Sequence, residues 1–131
     1  MSSGMVTIVN DELLIVRLSG ILDSAAVQAL AHELNRIEAA GVYPKRIVFV
    51  DDNLAIPIKS DDAIFYKNQR PAPQTGVRTA FCVFTELQFG IARMFQSILE
   101  SENHTIRIFR DRESAAEWLG VDIGLLQAHS D

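Results

Sequence analysis

Ile47-Val48-Phe49-Val50, followed at once by Asp51-Asp52-Asn53, is the stretch on which the reading of the fold turns. Four apolar residues in a row, with no polar alternation, suit a strand covered on both of its faces. Such strands belong to the interior of parallel sheets, where crossover helices lie above and below. The three polar residues after Val50 end the run sharply and place its carboxyl end at solvent.

The chain on either side supplies the elements that such a sheet needs. Upstream, Val27, Leu30, Ala31, Leu34 and Ile37 recur at helical spacing, with Asp23 or Ser24 to cap the start and Gly41 and Pro44 to stop the helix. Met5 to Val9 and Leu13 to Leu18 form two short apolar runs around the turn pair Asn10-Asp11, which predicts a hairpin. Downstream, Ser60-Asp61-Asp62 predicts a helix start, with the serine oxygen at the cap and two acids at the positive dipole end. Lys67 and Arg70 fall near the end of that helix, and Pro71 and Pro73 close it. Val77 to Phe84 predicts a strand. Thr85-Glu86-Leu87-Gln88 is a capping box, and Leu87, Ile91, Met94, Ile98 and Leu99 predict the buried stripe of the helix it opens. Thr105 to Phe109 predicts the last strand, and Asp111 caps a helix that runs through Trp118 and stops at Gly120.

The order β-β-α-β-α-β-α-β-α predicts an α/β fold: a mostly parallel central sheet with an antiparallel N-terminal edge strand and helices packed on it. One domain spans residues 5–120, and residues 121–131 read as a C-terminal tail. A chain of 131 residues suits a single core, and 48% hydrophobic with 22% charged residues is an ordinary globular mixture. A net charge of −5 argues against general nucleic-acid binding and against an anionic membrane surface. No apolar run reaches the roughly 20 residues that span a bilayer, and the first residues lack a signal-peptide pattern. With one cysteine, Cys82, no internal disulfide forms. The expectation is a cytoplasmic protein without membrane insertion.

Three stretches carry a family resemblance. Leu18-Ser19-Gly20-Ile21-Leu22-Asp23 is similar to a Gly-x-Leu-Asp segment between a strand and the first helix. Ile47 to Asp51 is similar to a central strand ending in aspartate. Ile106-Arg107-Ile108-Phe109 leads into Ser114-Ala115-Ala116-Glu117-Trp118-Leu119, similar to a closing helix. Together they resemble the STAS domains, in particular the SpoIIAA-like group of anti-sigma-factor antagonists, over about Met5 to Gly120. The resemblance implies a SpoIIAA-like fold and a non-enzymatic regulatory or protein-interaction module. In some members a serine at the start of the second helix, in an Asp-Ser-Ser-Gly motif, is switched by phosphorylation. That serine corresponds to Ser60, in the local sequence Lys59-Ser60-Asp61-Asp62, which keeps only the serine. A phosphate there would meet a helix N-terminus and Lys59, but also the repulsion of Asp61 and Asp62.

The residues themselves supply no catalytic constellation. The acids after Val50 have the chemistry of a magnesium site of the receiver-domain kind, but that strand should open its domain, and here two strands and a helix precede it. Cys82 lies inside an apolar strand and reads as inert packing. His32, His104 and His129 fall on three different elements, with no metal-ligand spacing. No cofactor, no metal and no enzymatic activity are expected. A partner surface is expected at the carboxyl edge of the sheet, from Asp51, Asp52, Asn53, Lys59, Asp61 and Asp62, since ligands of open α/β sheets meet that edge. Phe65, Tyr66, Phe89 and Phe95 lie on the two middle helices, and not all can face one core, so they are candidates for a homodimer interface or a ligand groove. By analogy with the CRAL-TRIO lipid binders, the alternative function is binding of a small apolar molecule or lipid between the Ser60 and Glu86 helices.

Overall fold

The computed structural model describes residues 4–72 and 76–129; Pro73, expected to close the second helix, lies outside them. Five strands form one sheet in the order β1-β2-β3-β4-β5: β1 (Gly4–Ile8), β2 (Leu13–Leu18), β3 (Lys45–Val50), β4 (Val77–Cys82) and β5 (His104–Phe109). The β1–β2 pair is the expected antiparallel hairpin, and its turn is held by the Asn10 side chain, which accepts from the Glu12 and Leu13 backbone N–H groups. The pairs β2–β3, β3–β4 and β4–β5 are parallel.

Each parallel pair advances the sheet by one strand in the same direction. Right-handed crossovers then bring all three connecting helices to one face. These are α1 (Ser24–Glu38), α2 (Ser60–Gln69) and α3 (Glu86–Leu99). The chain leaves β5 for the opposite face, where α4 (Arg112–Leu119) and α5 (Ile123–His129) pack. Alternation along the strands sorts the core accordingly. Leu14, Val16, Leu18, Val48 and Val50 face α1, α2 and α3, whereas Leu13, Ile15, Ile47, Phe49, Ala80 and Cys82 face α4 and α5. The unbroken run Ile47 to Val50 is buried along its whole length, as a strand covered twice must be.

Local signals in the sequence account for most helix ends. Asp23 caps α1 by accepting from the Ala26 N–H at 2.9 Å, and Asp111 caps α4 by accepting from the Ser114 N–H at 2.7 Å. Thr85 and Gln88 form the capping box of α3, with reciprocal bonds of 3.1 and 3.3 Å. Gly120 ends α4 at φ 72°, a left-handed conformation that favours glycine, with its N–H on the Ala116 carbonyl. The start of α2 differs from expectation. The cap position is Lys59, not Ser60, and the Asp62 carboxylate accepts the Lys59 backbone N–H at 3.0 Å. Ser60 is the first helical residue and is exposed.

The α3 stripe also differs. Leu87 is 64% exposed, while Gln88 and Ala92 are the buried residues of the helix. The capping box fixes the helix phase, so the inward stripe begins at Gln88, one residue beyond Leu87. Gln88 is held there because its amide donates to the Asp51 carbonyl at 2.7 Å.

Residues 121–131, set apart above as a tail, contain α5, whose Leu126 is fully buried beside Leu119 and Ala116. Truncating a fully buried leucine costs roughly 2–5 kcal/mol. Leu126→Ala is therefore expected to lower the urea midpoint by that loss, with an unchanged m-value; a midpoint equal to wild type would show that α5 does not belong to the cooperative unit.

Candidate functional site

The two faces of the sheet are packed differently. Opposite α4 and α5 the small residues Ala80, Ala115 and Ala116 allow close approach, and all three are buried. On the other face α2 has its helix neighbours in α1 and α3, and Ala63 is its one buried residue among those described. Beneath α2 lies a cavity of about 710 Å³. Its floor is the sheet, with Val16, Val48, Val50 and Phe81. Its walls come from α1, through Leu30 and Leu34, and from α3, through Ile91, Ala92 and Phe95. Phe81 sits in an interior strand yet keeps partial exposure, which is the mark of an unfilled space beside it.

One end of this space is closed and the other is polar. At the carboxyl edge of the strands Leu22, Leu54 and the Gln88–Asp51 hydrogen bond seal it. At the amino edge the lining includes the exposed residues Ala39, Val42, Lys67, Pro71 and Ala72, where the space reaches the surface. Here three elements bring together Glu38 from the end of α1, Arg46 from the start of β3 and Arg70 just past α2. Arg70 Nη2 donates to Glu38 Oε2 at 2.7 Å, and its Nη1 lies 2.7 Å from Glu38 Oε1, so the guanidinium faces both carboxylate oxygens as a fork. Arg46 Nη1 pairs with Glu38 Oε2 at 2.5 Å, and its Nε donates to the Tyr43 carbonyl at 2.9 Å. Asn35 accepts from Arg70 Nη1 at 2.6 Å and donates to the Gln69 carbonyl at 2.8 Å, which ties α1 to the end of α2. The side chains of Glu38, Arg46 and Arg70 are 13%, 17% and 11% exposed, so the three charges are largely withdrawn from water.

Two further groups complete the polar end. Thr79 Oγ1 and His104 Nε2 are 2.8 Å apart, on neighbouring strands. Burial, reinforced by the positive charges of Arg46 and Arg70, pushes the His104 imidazole down to about 4, so it is neutral at physiological pH. Tyr66 lies under the Arg70 guanidinium, 5.8 Å from its centroid, and edge-on to Phe95 at 6.1 Å; burial raises its phenol.

The aromatic candidates therefore divide. Tyr66 and Phe95 meet in the cavity wall. Phe65 is 40% exposed on the outer side of α2. Phe89 packs outside the cavity, with Arg110 4.8 Å from its ring centroid. The acidic edge is dispersed among structural tasks: Asp51 pairs with Arg17 at 3.4 Å, and Asp62 accepts from Ser24 as well as from Lys59. Asp52, Asn53, Lys59 and Asp61 are exposed around them. Cys82 is buried and free, and burial pushes its thiol up to about 12. Glu38, Arg46, Arg70 and His104 were not among the sequence candidates. Arg46 is the second residue of β3, His104 opens β5, Glu38 and Arg70 stand at helix ends, and nothing in their spacing along the chain marks them as partners.

A scan against protein-family models finds no match, and a search of curated proteins finds no relative. Among solved structures, the chain is similar to an uncharacterised protein of the DUF3478 family with a SpoIIAA-like fold from Shewanella loihica PV-4. The TM-score is 0.53 and the identity 17%, over 88% of this chain and 91% of the other. The fold is thus SpoIIAA-like: a five-stranded sheet with one antiparallel pair, the other pairs parallel, and helices on both faces. Among the described residues no helix is long and apolar enough to cross a membrane.

The depressed His104 value has a consequence for acid stability. Its folded value is below its unfolded one, so the unfolded chain binds the proton first as pH falls. Stability is expected to decline from about pH 6.5 to about pH 4, by roughly 1–2 kcal/mol from this group once solvent screening of its exposed part is counted. His104→Gln, which keeps a partner for Thr79, should flatten that part of the pH profile in urea titrations. An undiminished slope in the variant would assign it to other groups.

Proposed function

We propose that this domain is a non-catalytic binder of a small molecule with an apolar body, held in the cavity between α1, α2, α3 and the sheet. The observation that carries the reading is the cavity itself. Protein interiors are normally close-packed, with few voids larger than a water molecule. An unfilled apolar space forfeits packing contacts for every side chain that lines it. Water filling it would lie against valine, leucine and phenylalanine. A volume of about 710 Å³ falls within the roughly 300–1,000 Å³ of small-molecule sites, and an apolar lining with a few convergent polar groups is their usual composition. The reading supports a carrier or a ligand-gated sensor, and the one-ended polar cluster favours an amphipathic ligand.

A second reading rests on a different observation. Ile21, Ile64, Phe65, Phe84 and Leu87 are all 40% exposed or more, and they belong to the segments that follow β2 and β4, the second turn of α2 and the first turn of α3. They flank Asp51, Asp52, Asn53, Lys59, Ser60, Asp61 and Asp62 at the carboxyl edge of the sheet. Apolar side chains beside an acidic rim support a protein-interaction face, either for a regulatory partner or for a second copy of this chain, with Ser60 exposed where a phosphate would alter it.

Two measurements test these readings. N-phenylnaphthylamine, a neutral apolar dye, is expected to gain fluorescence on the full chain. Ala92→Phe, which fills the cavity from the α3 side, is expected to weaken that binding about tenfold or more with the melting temperature kept or raised. No dye binding by the wild type, or undiminished binding by the folded variant, rejects the cavity as a site. For the second reading, Ser60→Glu is expected to weaken partner capture from the source cells about tenfold while leaving dye binding unchanged. Equal capture by both proteins removes Ser60 from that face.

A further inference from the structure

We infer that the polar end of the cavity selects a carboxylate headgroup, so that the ligand is an apolar chain ending in one negative charge. This rests on the ligand-binding reading above and adds the chemistry of the head. The charge count comes first. Arg46 and Arg70 bring two positive charges to the cavity mouth and Glu38 brings one negative charge. Asn35, Tyr66, Thr79 and His104 bring none at neutral pH, while Lys67 at the rim and Glu100 beside His104 carry opposite charges and are both exposed. The largely buried cluster therefore carries one positive charge in excess. A withdrawn charge is tolerated only when it is paired, and a single carboxylate completes the pairing. A dianion would leave an uncompensated negative charge in its place.

Donor geometry favours Arg46 over Arg70 as the guanidinium that meets the head. Arg70 turns both Nη groups to Glu38, and Nη1 also to Asn35, which leaves only its Nε–H and one Nη2 hydrogen, on different nitrogens. Arg46 uses Nε on Tyr43 and Nη1 on Glu38, and among the described residues its Nη2 group has no acceptor. A guanidinium presents five N–H donors, so three remain on Arg46, the second of Nη1 and the pair on Nη2, and the Nη2 pair is the larger group open to a ligand. Glu38 and Arg70 are then positioning residues: the fork between them holds the carboxylate that fixes Arg46.

Strand geometry sets the path of the tail. Arg46, Val48 and Val50 alternate onto the same face of β3, and all three line the cavity. A head at Arg46 therefore leads its chain along Val48 toward Val50, about 13 Å at roughly 3.3 Å per residue. The closed end at Gln88 and Leu54 limits how far the chain extends.

The experiment compares a fluorescent polyene fatty acid, cis-parinaric acid, with its methyl ester on the full chain at pH 8, where the acid is ionised. The two share a tail and differ in head charge. The wild type is expected to bind the acid about tenfold or more tightly than the ester. Arg46→Met, which keeps an apolar stem, should abolish the difference by weakening the acid alone, and Arg46→Lys should restore part of it. Equal affinity of acid and ester for the wild type overturns the headgroup inference while leaving the cavity as a site. Failure of both to bind overturns the ligand-binding reading as well. The wild-type comparison decides the matter even if a variant fails to fold.

Discussion

The handedness of the crossovers is the constraint from which the rest of this structure follows. Strands β2 to β5 are laid down in sequence order, each beside the last, so α1, α2 and α3 have one face to share. The crossovers that carry α1 and α3 are centred about two strand spacings apart, near 10 Å. Three helices side by side need roughly 16–20 Å between the outer axes. The sheet twist relieves part of this mismatch. The middle helix absorbs the remainder by standing away from the sheet, against α1 and α3. That α2 buries Ala63 and leaves Ile64 and Phe65 exposed is the local sign of this position. The cavity is the space that remains beneath it. The opposite face carries two helices rather than three, and there alanines close the gap between α4 and the sheet.

Much of the fold was legible because it is written in local chemistry. The run Ile47 to Val50 required cover on both faces, and Asp23, Thr85, Asp111 and Gly120 act at the helix ends where capping logic puts them. The failures have equally local causes. At α2 the Asp62 carboxylate reaches back to the Lys59 N–H, which moves the cap one residue ahead of Ser60. In α3 a polar residue, Gln88, occupies the inward stripe because it satisfies the Asp51 carbonyl at the sealed end of the cavity. A count of apolar spacing passes over such a residue and selects Leu87. The helix α5 was missed because Gly124 and a short run of only seven residues give little periodicity to read.

The site was not legible, because it is assembled by topology. Glu38, Arg46, Arg70 and His104 come from the ends of four elements, and each alone is an ordinary charged or polar terminus. Sequence patterns also point to the carboxyl edge of a parallel sheet, where ligands usually lie. In this chain that edge is sealed beneath α3 and the mouth is at the amino edge. Of the aromatic candidates, Tyr66 and Phe95 do belong to the cavity, since they lie on the inward sides of α2 and α3. Phe65 lies on the outer side of α2, and Phe89 packs half-buried against the core beside β5 without lining the cavity, a distinction that needs the helix phase.

The same topology gives the molecule an electrical polarity. Helices α1, α2 and α3 run antiparallel to the strands that precede and follow them. Their N-termini gather at the carboxyl edge and their C-termini at the amino edge. Asp23, Asp61, Asp62 and Glu86 accompany the N-termini, and Arg46 and Arg70 sit among the C-termini, in each case the sign that a helix dipole favours. Much of the acidity at the carboxyl edge, which by itself reads as a partner surface, is thereby accounted for as helix capping and dipole pairing. At the amino edge the partial negative charge of three helix ends helps two guanidinium groups remain charged away from water. Partial charges on carbonyls that already serve the helices do not fill the Nη2 donors of Arg46, however. Hydrogen-bond donors are satisfied by acceptors at short range and not by a diffuse potential. The fold thus concentrates positive charge at the open end of an apolar space while one set of donors remains without a protein acceptor among the described residues.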